Sequence, residues 1–397
     1  MSYEKPYAGL KVIDLSQGLA APYVGMLLAQ HGADVIKVEP PAGDWSRILN
    51  QNYGDHTAFS VAANLGKRSI ALDLKHPKGK EILWRLLADA DVMIEGFRPG
   101  VLARLGFGYA EVAQRAPRII YLSISGFGPE HPLKAKAAMD PVLQAYTGLV
   151  SANRGEDGTP QRIPVSIVDM STSLYAVHAV SAALFARQTA PEPSGRHIEI
   201  SLLEASASLV AVRLLATWLD GENAPVSTPP SGSFEAADGW LQVQVIQETD
   251  WQALCTALGA SGLAFDERYN HRNLRNRRAK ELREEMRPLF KRLTLAELSD
   301  RLGAADILFE RLNTYGDFVE QESKTGSSTL RWLHQPGVPR DLPMPRIPGL
   351  PIAAHEAALV APSCGEHTMA ILAQCGYGER DIEEMRLSGA VGTANKG

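Results

Sequence analysis

The strongest constraint on this chain is the alternation of short apolar runs with helical segments through its first 125 residues. Lys11-Val-Ile-Asp-Leu15 is a short apolar run, and Ala21 to Gln30 follows with helical composition before Gly32, a helix stop. Ala33 to Glu39 reads as a second strand, and Ser69 to Leu74 alternates with period two. Pro77 opens a helix with Ile82, Leu83, Leu86 and Leu87 on one face. Asp91 to Glu95 and Ile119 to Ser123 complete the set. Strands separated by helices of this length make βαβ units, hence a parallel sheet covered on both faces.

The pattern then changes. Ser171 to Arg187 and Leu202 to Asp220 read as helices, and Ala176, Ala179, Ser181, Ala182 and Ala183 suit close packing. Asn223 to Gly232 reads as a linker, Gly239 to Ile246 as a half-exposed strand, and mostly helical segments run on to about Leu312. Pro336 to Pro351 holds six prolines, a density that predicts an extended crossing without regular structure. Glu366 to Ala373 and Asp381 to Arg386 return to helix. The expected division is 1–222, 223–335 and 336–397.

Composition narrows the class. With 45% hydrophobic and 21% charged residues, 397 residues form a globular chain with room for more than one unit, not a disordered one. A net charge of −5 offers no global attraction to nucleic acid or anionic lipid. The basic stretch Arg268 to Arg292 is interleaved with Glu281, Glu284 and Glu285, and its only aromatics, Tyr269 and Phe290, sit near its two ends instead of interleaving with the cations, so it reads as a salt-bridged helix face. Cys255, Cys364 and Cys375 form no CxxC pair, which argues against a disulfide framework or a cysteine zinc site. Met1 to Pro6 lacks a signal-peptide core, and the best membrane candidate, Leu202 to Leu219, carries Glu204 and Arg213. The expectation is a cytoplasmic protein with no nucleic-acid, membrane or metal partner.

The first strand-to-helix turn, Asp14 to Pro22, contains only Gly18, so the GxGxxG turn of a dinucleotide site is missing. Gly96-Phe97-Arg98-Pro99-Gly100 with Arg104 follows a strand, and its arginines could hold phosphate. Lys67, Arg68 and Lys75 add cations nearby in sequence. On residues alone, solvated surface charges are the favoured reading of all of these. Asp140 stands before a helix, where N-capping would account for it. Asp169 follows an apolar run and precedes a helix. It reads either as a cap or as a carboxylate held by a helix N-terminus in a dry cleft, suited to nucleophilic attack.

Together these segments resemble the family III CoA-transferases, the group of formyl-CoA and carnitine CoA-transferases related to α-methylacyl-CoA racemase. The resemblance runs through Val12 to Ser16, Gly32 to Glu39, Lys67 to Lys75, Phe97 to Gly100 with Arg104 to Gly106, Asp140 to Gly148, Asp169, Ala237 to Trp240 and Gly365 to Leu372. It implies a Rossmann-like large α/β domain with a parallel sheet, built from both chain ends so that 336–397 rejoins 1–222, a smaller α+β domain from the middle, and a homodimer of two ring-like subunits linked through each other. It also implies that Asp169 is the nucleophile, forming an aspartyl anhydride and then an aspartyl-CoA thioester, with Asp140 in an auxiliary role. Coenzyme A, as acyl-CoA substrate, would lie along Leu19, Ala20, Leu72 to Lys75, Gly96, Phe97, Arg98, Arg104 and Lys136 to Met139. Lys75 and Arg104 would meet its phosphates.

The chain departs from that pattern in places. The formyl-CoA branch has glutamine where Leu19 aligns and arginine where Pro40 aligns, which argues against oxalate or formate; Lys37 or Arg47 could substitute for the arginine. The glycine run covering that branch's active site has no counterpart beyond Ser231-Gly-Ser233. The racemase branch has a histidine where Met139 stands, and a thioether cannot shuttle protons. CoA transfer between carboxylic acids is therefore the leading expectation. Acyl-CoA α-carbon racemisation and a catalytically silent CoA-binding protein are the alternatives.

Overall fold

A computed structural model describes residues 5–155, 158–222, 228–351 and 359–393. The first part of the expected linker, 223–227, lies outside the described residues. The chain forms two compact units: 1–211 with 328–397, and 212–327.

The first unit holds a seven-stranded sheet. Its strands are β1 (Lys11–Asp14), β2 (Asp34–Glu39), β3 (Arg68–Leu72), β4 (Val92–Glu95), β5 (Ile120–Ser125) and β6 (Arg196–Ser201), with β12 (Val391–Gly392) on one edge. The spatial order is β12-β3-β2-β1-β4-β5-β6. β1 to β6 are parallel throughout, and only β12 runs antiparallel, against β3. The order reverses between β1 and β4, so two neighbouring crossovers leave in opposite directions and open a crevice at the strands' carboxyl ends.

Both faces are covered. The Ala20–Gln30 and Ile167–Thr189 helices pack together on one face, where Val24, Leu28, Ala176, Val180 and Ala183 meet Val12, Val92, Ile94, Ile120 and Leu122. On the other face, Ile82, Leu83 and Leu87 of the Pro77–Ala88 helix and Ile371, Ile382 and Met385 from the C-terminal helices bury Ile13, Ile36 and Ile70. Strands covered on both sides must be apolar on both sides, which is why the sequence runs here are continuous.

Several sequence expectations need correction. The 171–187 helix begins earlier, at Ile167, and at 23 residues it is long and apolar enough to cross a membrane. Here its apolar side covers the sheet. The Leu202–Leu219 candidate is instead two helices, Leu202–Leu209 and Ala211–Asp220, bent by 59°. The proline-rich crossing contains regular structure: β10 (Leu330–Leu333) pairs antiparallel with β11 (Leu342–Pro345). The prolines fit because Pro343 and Pro345 face Trp332 and Leu330, while the ladder bonds fall at the alternate positions, as Arg346 N to Thr329 O (3.0 Å) shows. This ribbon packs Leu333, Leu342 and Met344 against Met26, Leu27 and Val61 of the first unit.

The second unit builds its own core from Phe234, Leu241, Val243, Trp251, Leu254, Leu282, Met286, Phe290 and Leu298. Its three-stranded sheet orders β7 (Gly232–Glu235), β8 (Trp240–Gln244) and β9 (Leu308–Arg311), so Ser231 to Ser233 leads into a strand instead of forming a glycine-type loop. The basic stretch is salt-bridged as expected: Arg268 pairs with Asp266, Glu281 and Glu285.

The small residues along the Ile167–Thr189 helix set its distance from the Ala20–Gln30 helix and the sheet. Ala176→Leu, at a position with no exposed surface, is expected to destabilise the protein by about 1–3 kcal/mol through overpacking. Urea unfolding checks this; a stability equal to wild type would show that the interface has slack.

Candidate active site

The crevice between β1 and β4 holds a cavity of about 410 Å³. Gln17, Leu19, Ala20 and Ala21 follow β1, Gly96 to Pro99 follow β4, and Ile124 to Gly126 end β5. Lys134, Lys136 to Met139, Trp45, Leu202 and Asp169 complete the walls. Leu19, Ala20, Gly96, Phe97, Arg98, Lys136, Met139 and Asp169 from the sequence reading thus come together in one cleft.

Asp169 lies inside the first turn of the Ile167–Thr189 helix, not ahead of it. Carboxylates at such positions ordinarily gain from the helix N–H groups. Here those donors are claimed by another acid. Asp140, only 4% exposed, accepts from Val168 N (2.6 Å) and Asp169 N (3.1 Å) through Oδ2, and from Gln144 Nε2 (2.6 Å) through Oδ1. Asp140 therefore caps the helix that carries Asp169; it begins its own helix, Asp140–Tyr146, without capping it by its side chain. Gln144 is fully buried and also accepts from Ile163 N (2.9 Å), tying this acid to the segment before the long helix.

No hydrogen-bond donor or cation pairs with the Asp169 carboxylate among the described residues. Burial, and secondarily the Asp140 charge, push its pKa up to about 7. Both effects disfavour the ionised form. Ser173, one turn along the helix, donates to Ala20 O (2.6 Å) and Asp169 O (2.9 Å), which pins the Asp169 turn to the start of the Ala20–Gln30 helix. That helix has no side-chain cap, and Pro22 lacks an N–H, so the Ala20 and Ala21 N–H groups stand at the cleft wall.

The turn before it needs Gly18. Its φ is +86°, and a Cβ there would lie 2.3 Å from Trp45. Gln17 and Trp45 were not singled out from sequence. Gln17 was findable, since it occupies the turn after the first strand, where such sheets bind ligands. Trp45 had no local signal; it is brought in by a hydrogen bond from Gly18 N to Asp44 Oδ1 (3.0 Å).

Other sequence candidates lie elsewhere. Leu72 is 1% exposed, with its side chain in the core, and Lys75 and Arg104 are exposed outside this cavity. Lys37, offered as a substitute for the arginine at Pro40, is fully buried and paired with Asp44 at 2.8 Å. Arg47 is likewise consumed by Glu39, through Nε (2.7 Å) and Nη2 (2.7 Å), and by Pro362 O (3.0 Å). Lys67, read as a loop cation, is buried against Asp14 at 2.7 Å, and burial pushes it down to about 8 despite that partner. A buried cation already bound on all sides cannot meet a phosphate. Among the described residues, no group of His, Cys, Asp or Glu side chains is arranged to hold a metal.

A ligand cleft at the switch point of a mostly parallel sheet, with an unpaired, half-buried carboxylate in its wall, is the arrangement of an α/β enzyme. Comparison with known proteins identifies the class. A family model described as CoA-transferase family III matches residues 7–368. Succinate–glutarate CoA-transferase of Agrobacterium fabrum is 36% identical over 278 residues, 66% of this chain and 69% of that one. Succinyl-CoA:glutarate CoA-transferase of Mus musculus is 30% identical over 398 residues, 98% of this chain and 90% of that one. The crystal structure of a CaiB/BaiF family protein from Brucella suis matches with a TM-score of 0.80 and 29% identity, covering 94% of this chain and 99% of that one. The chain belongs to the family III CoA-transferases, enzymes whose substrates are CoA thioesters.

The raised Asp169 pKa has a consequence for stability. Between the unfolded value of 3.8 and the folded value near 7, the folded state holds the proton more tightly, so stability falls as pH rises through this window and is level above it. Asp169→Asn removes that loss. Its melting temperature is expected to exceed wild type at pH 8 and to match it near pH 4. Equal melting temperatures at pH 8 would show that the carboxylate is not strained.

Proposed function

We propose that the enzyme transfers CoA from an acyl-CoA to a carboxylic acid through covalent intermediates on Asp169. The observation that carries this reading is the unpaired, half-buried carboxylate in the cleft wall, held up to about 7. An ordinary carboxylate expels a thiolate poorly, because a thiol has a pKa of roughly 8.5 and a carboxyl group roughly 4. Raising Asp169 toward 7 narrows that gap and leaves the nucleophile without a water shell to shed.

The Asp169 oxygen attacks the thioester carbonyl, and the C–S bond breaks to give a mixed anhydride and CoA thiolate. The thiolate attacks the aspartyl carbonyl and releases the donor carboxylate, leaving aspartyl-CoA. The acceptor carboxylate attacks the same carbonyl and expels the thiolate, which then takes the acceptor's acyl carbon and frees Asp169. No step needs a proton or a metal. The Ala20 and Ala21 N–H groups are suited to the oxyanions. Asp140 fixes the helix turn and keeps its donors away from Asp169, so the nucleophile is not pacified by hydrogen bonds.

Arg98, Lys134 and Lys136 line the cleft and suit the charged portion of CoA, with Lys75 and Arg104 taking phosphate further out. Dicarboxylates such as succinate or glutarate are the acids named for the relatives above, and we extend that class to this enzyme. A racemase reading finds no support: Met139 stands in the cleft where a base is required, and no histidine is among the lining residues. The Ala211–Asp220 helix has no buried residue, with Val212, Trp218 and Leu219 78–86% exposed, which supports a homodimer that covers this face. The three unpaired cysteines suit a reducing, cytoplasmic setting.

Incubation with succinyl-CoA and mass spectrometry should find an adduct on the Asp169 peptide. Asp169→Ala should still bind CoA yet exchange no labelled acid; residual exchange at the wild-type rate would sink the assignment. The rate of adduct formation should rise with pH through an apparent pKa near 7, since only the ionised carboxylate attacks. Asp140→Asn should shift that limb to lower pH, because it removes the like charge. It should remain above the ordinary carboxylate value, because burial is the larger cause. A limb unmoved by this substitution would remove Asp140 from the electrostatics of the site.

A further inference from the structure

We infer that Asp44, with Lys37, is a positioning residue for catalysis: the buried pair holds the Ser16-Gln17-Gly18 turn that presents the cleft's reacting wall. This inference rests on the cleft being the site of acyl transfer at Asp169.

The turn is gripped at both ends. Asp44 Oδ1 accepts from Gly18 N (3.0 Å) and Ser46 N (2.8 Å), while its Oδ2 pairs with Lys37 Nζ (2.8 Å). Lys37 Nζ donates in turn to Ser16 O (2.9 Å). Gln17 projects into the cleft between these two anchors, and Leu19 and Ala20 follow directly. The same Asp44 begins the short Trp45–Ile48 helical turn, which seats the Trp45 ring against Gly18 and along the cleft wall. Behind the pair, Asp44 N donates to Glu39 Oε2 (3.0 Å), and Glu39 is held by Arg47 and by Ser69 Oγ (2.8 Å). Both side chains of the pair are fully buried, so their link does not exchange with water.

A buried ion pair of this kind is a weak source of stability, and apolar residues of similar size often replace it at no loss. Its value here lies in direction. An apolar pair would fill the space but would leave Gly18 N and Ser16 O without partners and the turn free to shift. A misplacement of about 1 Å in groups lining a reacting centre can cost roughly a hundredfold in rate.

The test is the double variant Lys37→Met with Asp44→Leu, assayed with succinyl-CoA for adduct formation at Asp169, for steady-state exchange and for binding of free CoA. The expected result is cooperative unfolding at a lowered melting temperature, CoA affinity and KM within about threefold of wild type, and kcat lowered roughly tenfold or more. Gly18→Ala displaces the same turn while leaving the ion pair intact, because its Cβ collides with Trp45, and should give the same split between kcat and KM. This second variant decides the matter if the double variant does not fold. A kcat within twofold of wild type in whichever variant folds overturns the inference. Absence of an adduct in the wild-type protein overturns instead the reading of Asp169, so the two failures are distinct.

Discussion

The site depends on a competition for the N–H groups at one helix end. The first turn of the Ile167–Thr189 helix offers donors that would normally stabilise a neighbouring carboxylate. Asp140 takes them, and Asp169 is left with the cost of desolvation and, secondarily, the repulsion of the Asp140 charge. Two acids 29 residues apart in sequence therefore have opposite environments: one is buried and bonded through both oxygens, the other is half-buried and unbonded. Opposed environments for paired carboxyl groups are how proteins divide structural from chemical work between identical side chains.

That arrangement needs a rigid frame. The long helix is fixed along its length by small residues against the sheet and the Ala20–Gln30 helix, and at its start by Ser173 bonding to Ala20 O. The Asp169 turn and the opposing N–H groups are thus set on two helices in direct contact, with the sheet beneath both. From below, the Asp14–Lys67 and Asp44–Lys37 pairs hold the loop that joins β1 to the second of these helices. Lys67 also donates to Pro22 O (2.6 Å), in that helix's first turn. The buried charges are concentrated under this loop because backbone leaving a parallel sheet has polar groups that the sheet no longer satisfies.

The sheet was legible in the sequence because its strands are apolar on both sides and its helices carry one apolar stripe. β1 to β5 were readable as runs; β6, Arg-His-Ile-Glu-Ile-Ser, was not, since an edge strand half open to solvent mixes polar and apolar residues. Gly96 and Phe97 were legible as cleft-lining positions because they follow a strand end, whereas Ala20 came only from the family resemblance. Trp45 and Gln144 were out of reach, because each is placed by a hydrogen-bond chain across tertiary structure. Position in sequence also could not tell Lys67 from Lys75. They stand at the two ends of the Arg68–Leu72 strand, one buried against Asp14 and the other exposed.

The fate of the cations follows from the same distinction. A phosphate can be recognised only by a positive group that is not already neutralised, and desolvating a cation requires a partner. Lys37, Arg47 and Lys67 are desolvated and have acidic partners, so they belong to the framework. Arg98, Lys134 and Lys136 keep their water at the cleft and have no recorded acidic partner among the described residues. The proline at position 40 removes a side chain that could reach outward from the end of β2, and the two cations nearest to it in sequence point into the protein. Under the proposed function, charge for a polyanionic substrate is therefore assigned to the loops after β4 and β5 and to the exposed positions beyond β3, leaving the carboxyl end of β2 for the acids and bases that hold the turn.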